Sequence, residues 1–215
     1  SEERASTFVA YNSEEIGGTM AQIFHDGRGR LLLLGSPGAG KTTLMIQLVL
    51  ELLDSEPDAM PVLLNLATWS KDFITLDAWL KKILPAELGV SERLASEIIQ
   101  QNRLILLFDG FDEIKEDDRV SCLEAIARYG EDSGHRYAIS SRKKEYFEVA
   151  KDAPVESQIE VGPLSIQQLE AELQRLWSDP VKPERGARLL WNAIQENELL
   201  RKVVETPFYF NSLQI

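Results

Sequence analysis

The sequence holds one cysteine, Cys122, and two histidines, His25 and His135. A single thiol cannot close a disulfide within the chain, and no cysteine spacing of the zinc-binding kind can be written. A reducing, cytoplasmic compartment is the expectation that follows. Basic residues are also scarce: 23 Lys and Arg stand against 35 Asp and Glu, a net charge of −12. That balance argues against a general phosphate-binding surface, so no direct nucleic acid is expected, although a local basic pocket is allowed. Long apolar runs are missing too. The longest, 44–53, is interrupted by Gln47 and Glu51 and falls short of the roughly 20 residues of a membrane span. It reads as a buried helix, and no membrane partner is expected. Ser1-Glu2-Glu3-Arg4 lacks the layout of a signal peptide. The chain starts without Met and stops inside the apolar stretch that begins at Phe208, so it reads as a piece of a longer protein.

What is present is the make-up of a globular α/β protein. The 215 residues are 44% hydrophobic and 27% charged, enough to bury a sizeable core. Short apolar runs alternate with longer helical patterns, which predicts a parallel sheet flanked by helices. Five strands are expected, at 31–34, 62–66, 104–108, 137–140 and 158–161. The first and third are apolar throughout, as befits central strands covered on both faces. Helices are expected at 41–53, 76–84, 91–101, 118–129 and 143–150. Beyond Gly162-Pro163 no strand pattern recurs. A helix over 165–177 carries Ile166, Leu169, Leu173, Leu176 and Trp177 on one stripe. Asp179-Pro180-Val181-Lys182-Pro183 breaks it, and helices over 184–196 and 198–205 follow. The expected organisation is a lead-in segment at 1–29, a nucleotide-binding domain at 30–162, and the start of a small all-helical domain at 163–215.

Gly35-Ser36-Pro37-Gly38-Ala39-Gly40-Lys41-Thr42-Thr43 matches the phosphate-binding P-loop pattern in full, between an expected strand and an expected helix. Glycines let successive N–H groups turn inward onto phosphate oxygens. The helix opening at Lys41 aims its positive dipole end at the same anion. Lys41 would contact the β and γ phosphates, and Thr42 would offer its hydroxyl to Mg²⁺.

A second chemical feature is Leu104-Ile105-Leu106-Leu107-Phe108-Asp109-Gly110-Phe111-Asp112-Glu113. A carboxylate at the end of a buried strand needs a cation or donors opposite it. Asp109 is therefore placed to hold Mg²⁺ across from Thr42. Asp112 and Glu113 follow at the open edge of the sheet, where either could orient or deprotonate an attacking water; the sequence does not choose between them. Glu116, Asp117 and Asp118 read as a solvated acidic helix start. His25 and His135 read as surface or loop residues, Cys122 as packing in a helix, and Trp69, Trp79, Trp177 and Trp191 as core or interface residues.

Together the P-loop, Asp109-Gly110-Phe111-Asp112-Glu113 and Ile139-Ser140-Ser141-Arg142 resemble the NACHT branch of the STAND class of P-loop NTPases. A small residue after the metal-binding Asp, with an acidic residue three positions beyond that Asp, is the feature that sets this branch apart. Pro61-Val62-Leu63-Leu64-Asn65-Leu66-Ala67-Thr68-Trp69 resembles the second-strand region of bacterial-type members, and Pro163-Leu164-Ser165 the step into the first helical domain. The resemblance implies that Arg142 senses the γ-phosphate from the fourth strand. A guanidinium can fork onto phosphate oxygens, so the role is chemically apt. The family commonly has proline after this arginine; here the position is Lys143. Pro207 would match the helical-domain proline that packs on adenine, although it also suits a plain helix start.

The function implied is an ATP-binding, slowly hydrolysing switch. Its ATP/ADP state would control conformation and self-association, in innate immune or antiphage defence, with effector and sensor domains outside this stretch. The alternative is a conventional ATP-hydrolysing enzyme without a signalling role. No Asn-Lys-x-Asp element for guanine is present, which favours ATP over GTP.

Overall fold

The computed structural model describes residues 6–9, 18–101, 103–131, 135–150, 155–178 and 185–212. The helix-breaking Asp179 to Pro183 lies outside the described residues, as do the side chains of Leu176 and Trp177. In chain order the elements are β1 (Ser6–Val9), α1 (Met20–Asp26), β2 (Arg30–Gly35), α2 (Lys41–Ser55), β3 (Met60–Asn65), α3 (Leu76–Leu88), α4 (Glu92–Gln100) and β4 (Leu104–Asp109). They continue with α5 (Glu116–Glu131), β5 (Arg136–Ser141), α6 (Lys143–Phe147), β6 (Ser157–Val161), α7 (Ile166–Trp177), α8 (Arg185–Glu196), α9 (Glu198–Val204) and α10 (Pro207–Ser212).

All five expected strands are present and parallel, and a sixth, β1, joins them at the edge. The order across the sheet is β1-β6-β2-β5-β4-β3. The sheet is buried on both faces, and the period of two along each strand assigns its residues to two separate cores. Leu32, Leu34, Leu106, Phe108 and Ile139 face α3, α4 and α5, where Trp79, Leu80, Ile98 and Ile126 meet them. Leu31, Leu33, Ile105, Leu107 and Ala138 face α1 and α2, where Phe24, Met45 and Leu48 meet them. Truncating a fully buried leucine such as Leu32 or Leu33 to Ala would cost about 2–5 kcal/mol. Pro61 sits in β3 at the free edge of the sheet, where its missing N–H breaks no ladder.

Residues 1–29, expected as a lead-in, supply both β1 and α1. The latter is fixed by a capping box of Thr19 and Gln22, in which each side chain satisfies a backbone N–H of the first turn. Three readings need correction. The run 44–53 is buried along one side only: Leu44, Met45, Leu48 and Leu52 pack inward, while Ile46, Leu50 and Leu53 are exposed. Apolar content there exceeded what a 3.6-residue period can bury against one sheet face. Asp118 is buried rather than solvated, and its carboxylate accepts the Lys71 backbone N–H at 3.3 Å. Ile166, counted on the α7 stripe, is exposed.

Beyond Gly162, α7 to α10 gather their own core from Leu164, Leu169, Leu173, Trp191, Ile194, Val204 and Phe210. Ser165 and Gln168 form a capping box at the start of α7. The Leu164 N–H donates to the Glu205 carbonyl at 2.7 Å, so the end of α9 lies beside the entry to α7.

Candidate functional site

The sheet order decides which loops meet. Strand β5 lies between β2 and β4, so the segments leaving the C-terminal ends of these three parallel strands converge. After β2 comes the phosphate-binding-type loop. After β4 comes Gly110 and the 3₁₀ turn Phe111–Glu113. After β5 comes Arg142. Between them lies a cleft of about 570 Å³. It is lined by Pro37, Gly38, Ala39, Gly40, Lys41, Thr42, Thr43, Asp109, Asp112, Glu113, Arg142 and Pro207. Gly35, which opens the loop, is the last residue of β2. Apart from Gly35, each residue expected to meet phosphate, metal, water or base thus lines one cleft.

Within the loop, Gly40 caps α2 at φ +91° with no side-chain hydrogen bond. The first turn of this helix therefore presents amides with no side-chain acceptor, the arrangement that suits an anion. Lys41 folds back over the loop, donating from Nζ to the carbonyls of Gly35 at 2.9 Å and Ser36 at 3.1 Å. Burial lowers its pKa from the ordinary lysine value. Asp112, Asp109 and Glu113 pull the other way, and Arg142 adds to the lowering.

Asp109 is held by hydroxyls on both oxygens. Thr42 Oγ1 donates to Oδ2 at 2.7 Å, and Ser140 Oγ donates to Oδ1. Ser140 in turn accepts the Gly110 N–H at 3.0 Å. Gly110 has φ +76°, a left-handed conformation in which a side chain would be strained. A Cβ there would also lie 3.0 Å from the Glu113 carboxyl carbon, because that side chain folds back over the glycine. Asp112 faces Arg142, with Nε to Oδ2 at 2.8 Å and the Arg142 backbone N–H to Oδ1 at 3.1 Å. The Asp112 side chain is 8% exposed and that of Arg142 46%, whereas Glu113 is exposed.

The hydroxyl of Thr42 and the carboxylate of Asp109 are hard oxygen donors in mutual contact, a pair that fits Mg²⁺ completed by phosphate and water oxygens. Among the described residues no group of three or more His, Cys, Asp or Glu side chains could hold a metal ion. Among the described residues, no helix is long and apolar enough to cross a membrane.

The helical segment reaches the same cleft. Pro207 is buried against it, and Phe208 lines it while remaining 62% exposed. The Phe208 N–H donates to the Gly38 carbonyl at 3.2 Å. Neither Ser140, part of the Ile139-Ser140-Ser141-Arg142 run, nor Phe208 has a role of its own in the sequence reading. Two serines ending an otherwise apolar buried strand were the available signal for Ser140; Phe208 had none, since only the fold brings it to the loop.

A parallel sheet with this loop after one strand, Asp109 ending another and both beside a helix N-terminus defines a nucleotide-binding P-loop NTPase. The chain matches the NACHT domain over residues 30–204, and it belongs to that family. Among solved structures it is similar to the Aeropyrum pernix ORC1 protein in complex with DNA, at 16% identity and a TM-score of 0.51. That match covers 75% of this chain and 47% of the other. The Aeropyrum pernix ORC2 protein, in ADPNP-ADP complexes, is 15% identical with a TM-score of 0.46, over 73% of this chain and 49% of that one. The chain thus spans about half the length of these structures, and the likeness to ORC1 concerns the fold alone. No curated protein matches it.

Proposed function

We propose that this NACHT domain binds ATP with Mg²⁺, hydrolyses it slowly, and uses the difference between ATP and ADP to set its conformation and self-association. The observation that carries the reading is the bond from the Phe208 N–H to the Gly38 carbonyl. It ties the helical segment to the backbone of the loop that would cradle phosphates. A change in phosphate occupancy then biases where the helices sit. A plain turnover enzyme needs no such tie.

In this reading the loop from Pro37 to Thr43 holds the phosphates through the backbone N–H groups of residues 38–43 and the Lys41 amine, and Thr42 and Asp109 would hold Mg²⁺. The ion neutralises charge on the phosphate oxygens when bound. Glu113, exposed at the cleft, takes the proton of the attacking water. Asp112 is the counter-ion of Arg142, the arginine that reads the γ-phosphate. Pro207 packs on the base. Family membership supports a signalling role in innate immune or antiphage defence, with effector and sensor domains elsewhere in a longer protein. The DNA in the ORC1 structure is that protein's own ligand. With a net charge of −12, nucleotide rather than nucleic acid is the ligand proposed for this chain.

The test is to denature freshly purified protein and identify any released nucleotide by chromatography, then to follow phosphate release from added ATP. Stoichiometric ADP with slow turnover supports the switch. Empty protein that turns over ATP steadily favours the conventional ATPase. Bound guanine nucleotide would overturn the choice of base.

A further inference from the structure

Arg119 lies in the first turns of α5, after the acidic Glu116, Asp117 and Asp118. A cation near a helix N-terminus opposes the helix dipole, so helix preference does not explain its seat. Its side chain is only 13% exposed, and a guanidinium out of water needs its donors matched. The partners are carbonyls of the acidic turn. Nη2 donates to the Asp112 carbonyl at 3.0 Å and Nε to the Ile114 carbonyl at 3.1 Å. The third nitrogen, Nη1, faces the Glu148 carboxylate at 3.9 Å, just past the end of α6.

These contacts close a ring. Arg119 holds Asp112 by its backbone, Arg142 holds Asp112 by its carboxylate, and the short helix that follows Arg142 returns through Glu148 to Arg119. The peptide that precedes Glu113 and the one that follows Ile114 are therefore both fixed from α5. Among the described residues, neither Arg119 nor Glu148 forms a hydrogen bond or ion pair with the phosphate-binding-type loop.

We propose that Arg119 is a positioning residue. It clamps the turn Phe111–Glu113 so that Asp112 and Glu113 stand in register with Asp109 and Arg142, and this rests on the hydrolytic reading above. A planar fork serves two carbonyls and a carboxylate at once, and a lysine ammonium cannot reproduce that geometry. Misplacement of a reacting group by an ångström costs on the order of a hundredfold in rate. Loss of the clamp therefore lowers turnover without weakening nucleotide binding.

The experiment compares wild type with Arg119→Lys and Arg119→Ala. It uses ATP hydrolysis at saturating substrate, the dissociation constant of a non-hydrolysable ATP analogue, and amide hydrogen exchange by segment. The expected result for both variants is a kcat lower by roughly ten- to a hundredfold. The dissociation constant stays within about twofold, and faster exchange is confined to residues 110–115, with 35–43 unchanged. Partial recovery of Arg119→Ala by millimolar guanidinium ion would support the clamp. Wild-type kcat in Arg119→Lys, or affinity and rate falling together in either variant, overturns it. Should Arg119→Ala not fold, Arg119→Lys alone decides by the same criteria. Should the wild type not hydrolyse ATP, the hydrolytic reading falls by itself, and exchange at 110–115 still decides whether Arg119 holds the turn.

Discussion

Arg142 holds Asp112 twice, from Nε to Oδ2 at 2.8 Å and from its backbone N–H to Oδ1 at 3.1 Å. One of these bonds is between charges and the other is not. Asp112→Asn keeps an acceptor for the backbone N–H but removes the guanidinium's nearest carboxylate, leaving it only Glu145 at 3.7 Å from Nη1, so it turns more readily to an incoming phosphate. With Arg142 partly exposed, such a pair is worth about 0–1 kcal/mol. A non-hydrolysable ATP analogue should therefore bind Asp112→Asn up to about fivefold more tightly, and Arg142→Ala more weakly. Glu113→Gln should lower single-turnover hydrolysis by about a hundredfold or more with little change in affinity. Abolished hydrolysis in Asp112→Asn, with Glu113→Gln nearly unaffected, would reverse the two assignments.

Gly38 answers to two demands at once. Its φ of +74° is left-handed, and a Cβ built on it would lie 2.9 Å from the Phe208 Cβ and 3.1 Å from the Thr206 Cγ2. Gly38→Ala therefore strains the loop by about 1–2 kcal/mol and pushes against the helical segment. The expected outcome is a lower melting temperature and nucleotide affinity reduced by about tenfold, measured by calorimetry with and without ATP. If the variant melts lower but binds normally, the contact with Phe208 has no part in nucleotide sensing.

Much of this was legible because the physics is local. Buried parallel strands read as unbroken apolar runs, and Leu31 to Leu34 and Ile105 to Phe108 are fully buried on both sides. Ser91 and Thr75 cap the helices that follow them, as short polar side chains do. The loop from Gly35 to Thr43 carries its chemistry in consecutive residues. What was missed depends on distant chain segments. Strand β1 gains its place only by pairing with β6. Asp118 is buried because the segment after β3 folds over it. Arg119 and Phe208 matter through carbonyls that carry no side-chain signature, so no spacing in the sequence could mark them.

Lys41 gives a pH dependence. Burial lowers its pKa in the free protein, while a bound phosphate would raise it by favouring the charged amine. Nucleotide affinity should therefore be greatest below the free-protein pKa and fall as pH rises through it, with proton uptake on binding in that range. Titration from about pH 7 to about pH 10 should show the fall in wild type and a flatter profile in Lys41→Arg, whose guanidinium stays charged. A flat wild-type profile would mean that Lys41 does not meet the phosphates.

Tyr146 sits in the core beneath the acidic turn, its ring 5.5 Å from that of Phe111. Its hydroxyl is buried without a hydrogen-bond partner among the described residues. Burial pushes its pKa up, and the same cause takes Tyr137 to about 12. Both phenols thus stay neutral in the folded chain, whereas an unfolded tyrosine ionises near about pH 10. Stability from this source is complete below that pH and is lost as pH rises toward the folded-state values. Tyr146→Phe removes one of the two linked groups and keeps the ring contact. Urea unfolding should find the variant as stable as wild type at neutral pH, or more stable by about 1 kcal/mol. It should also lose less stability between about pH 9 and about pH 11. A variant weaker than wild type by more than about 1 kcal/mol at neutral pH would mean that the hydroxyl has a hydrogen-bond partner in solution.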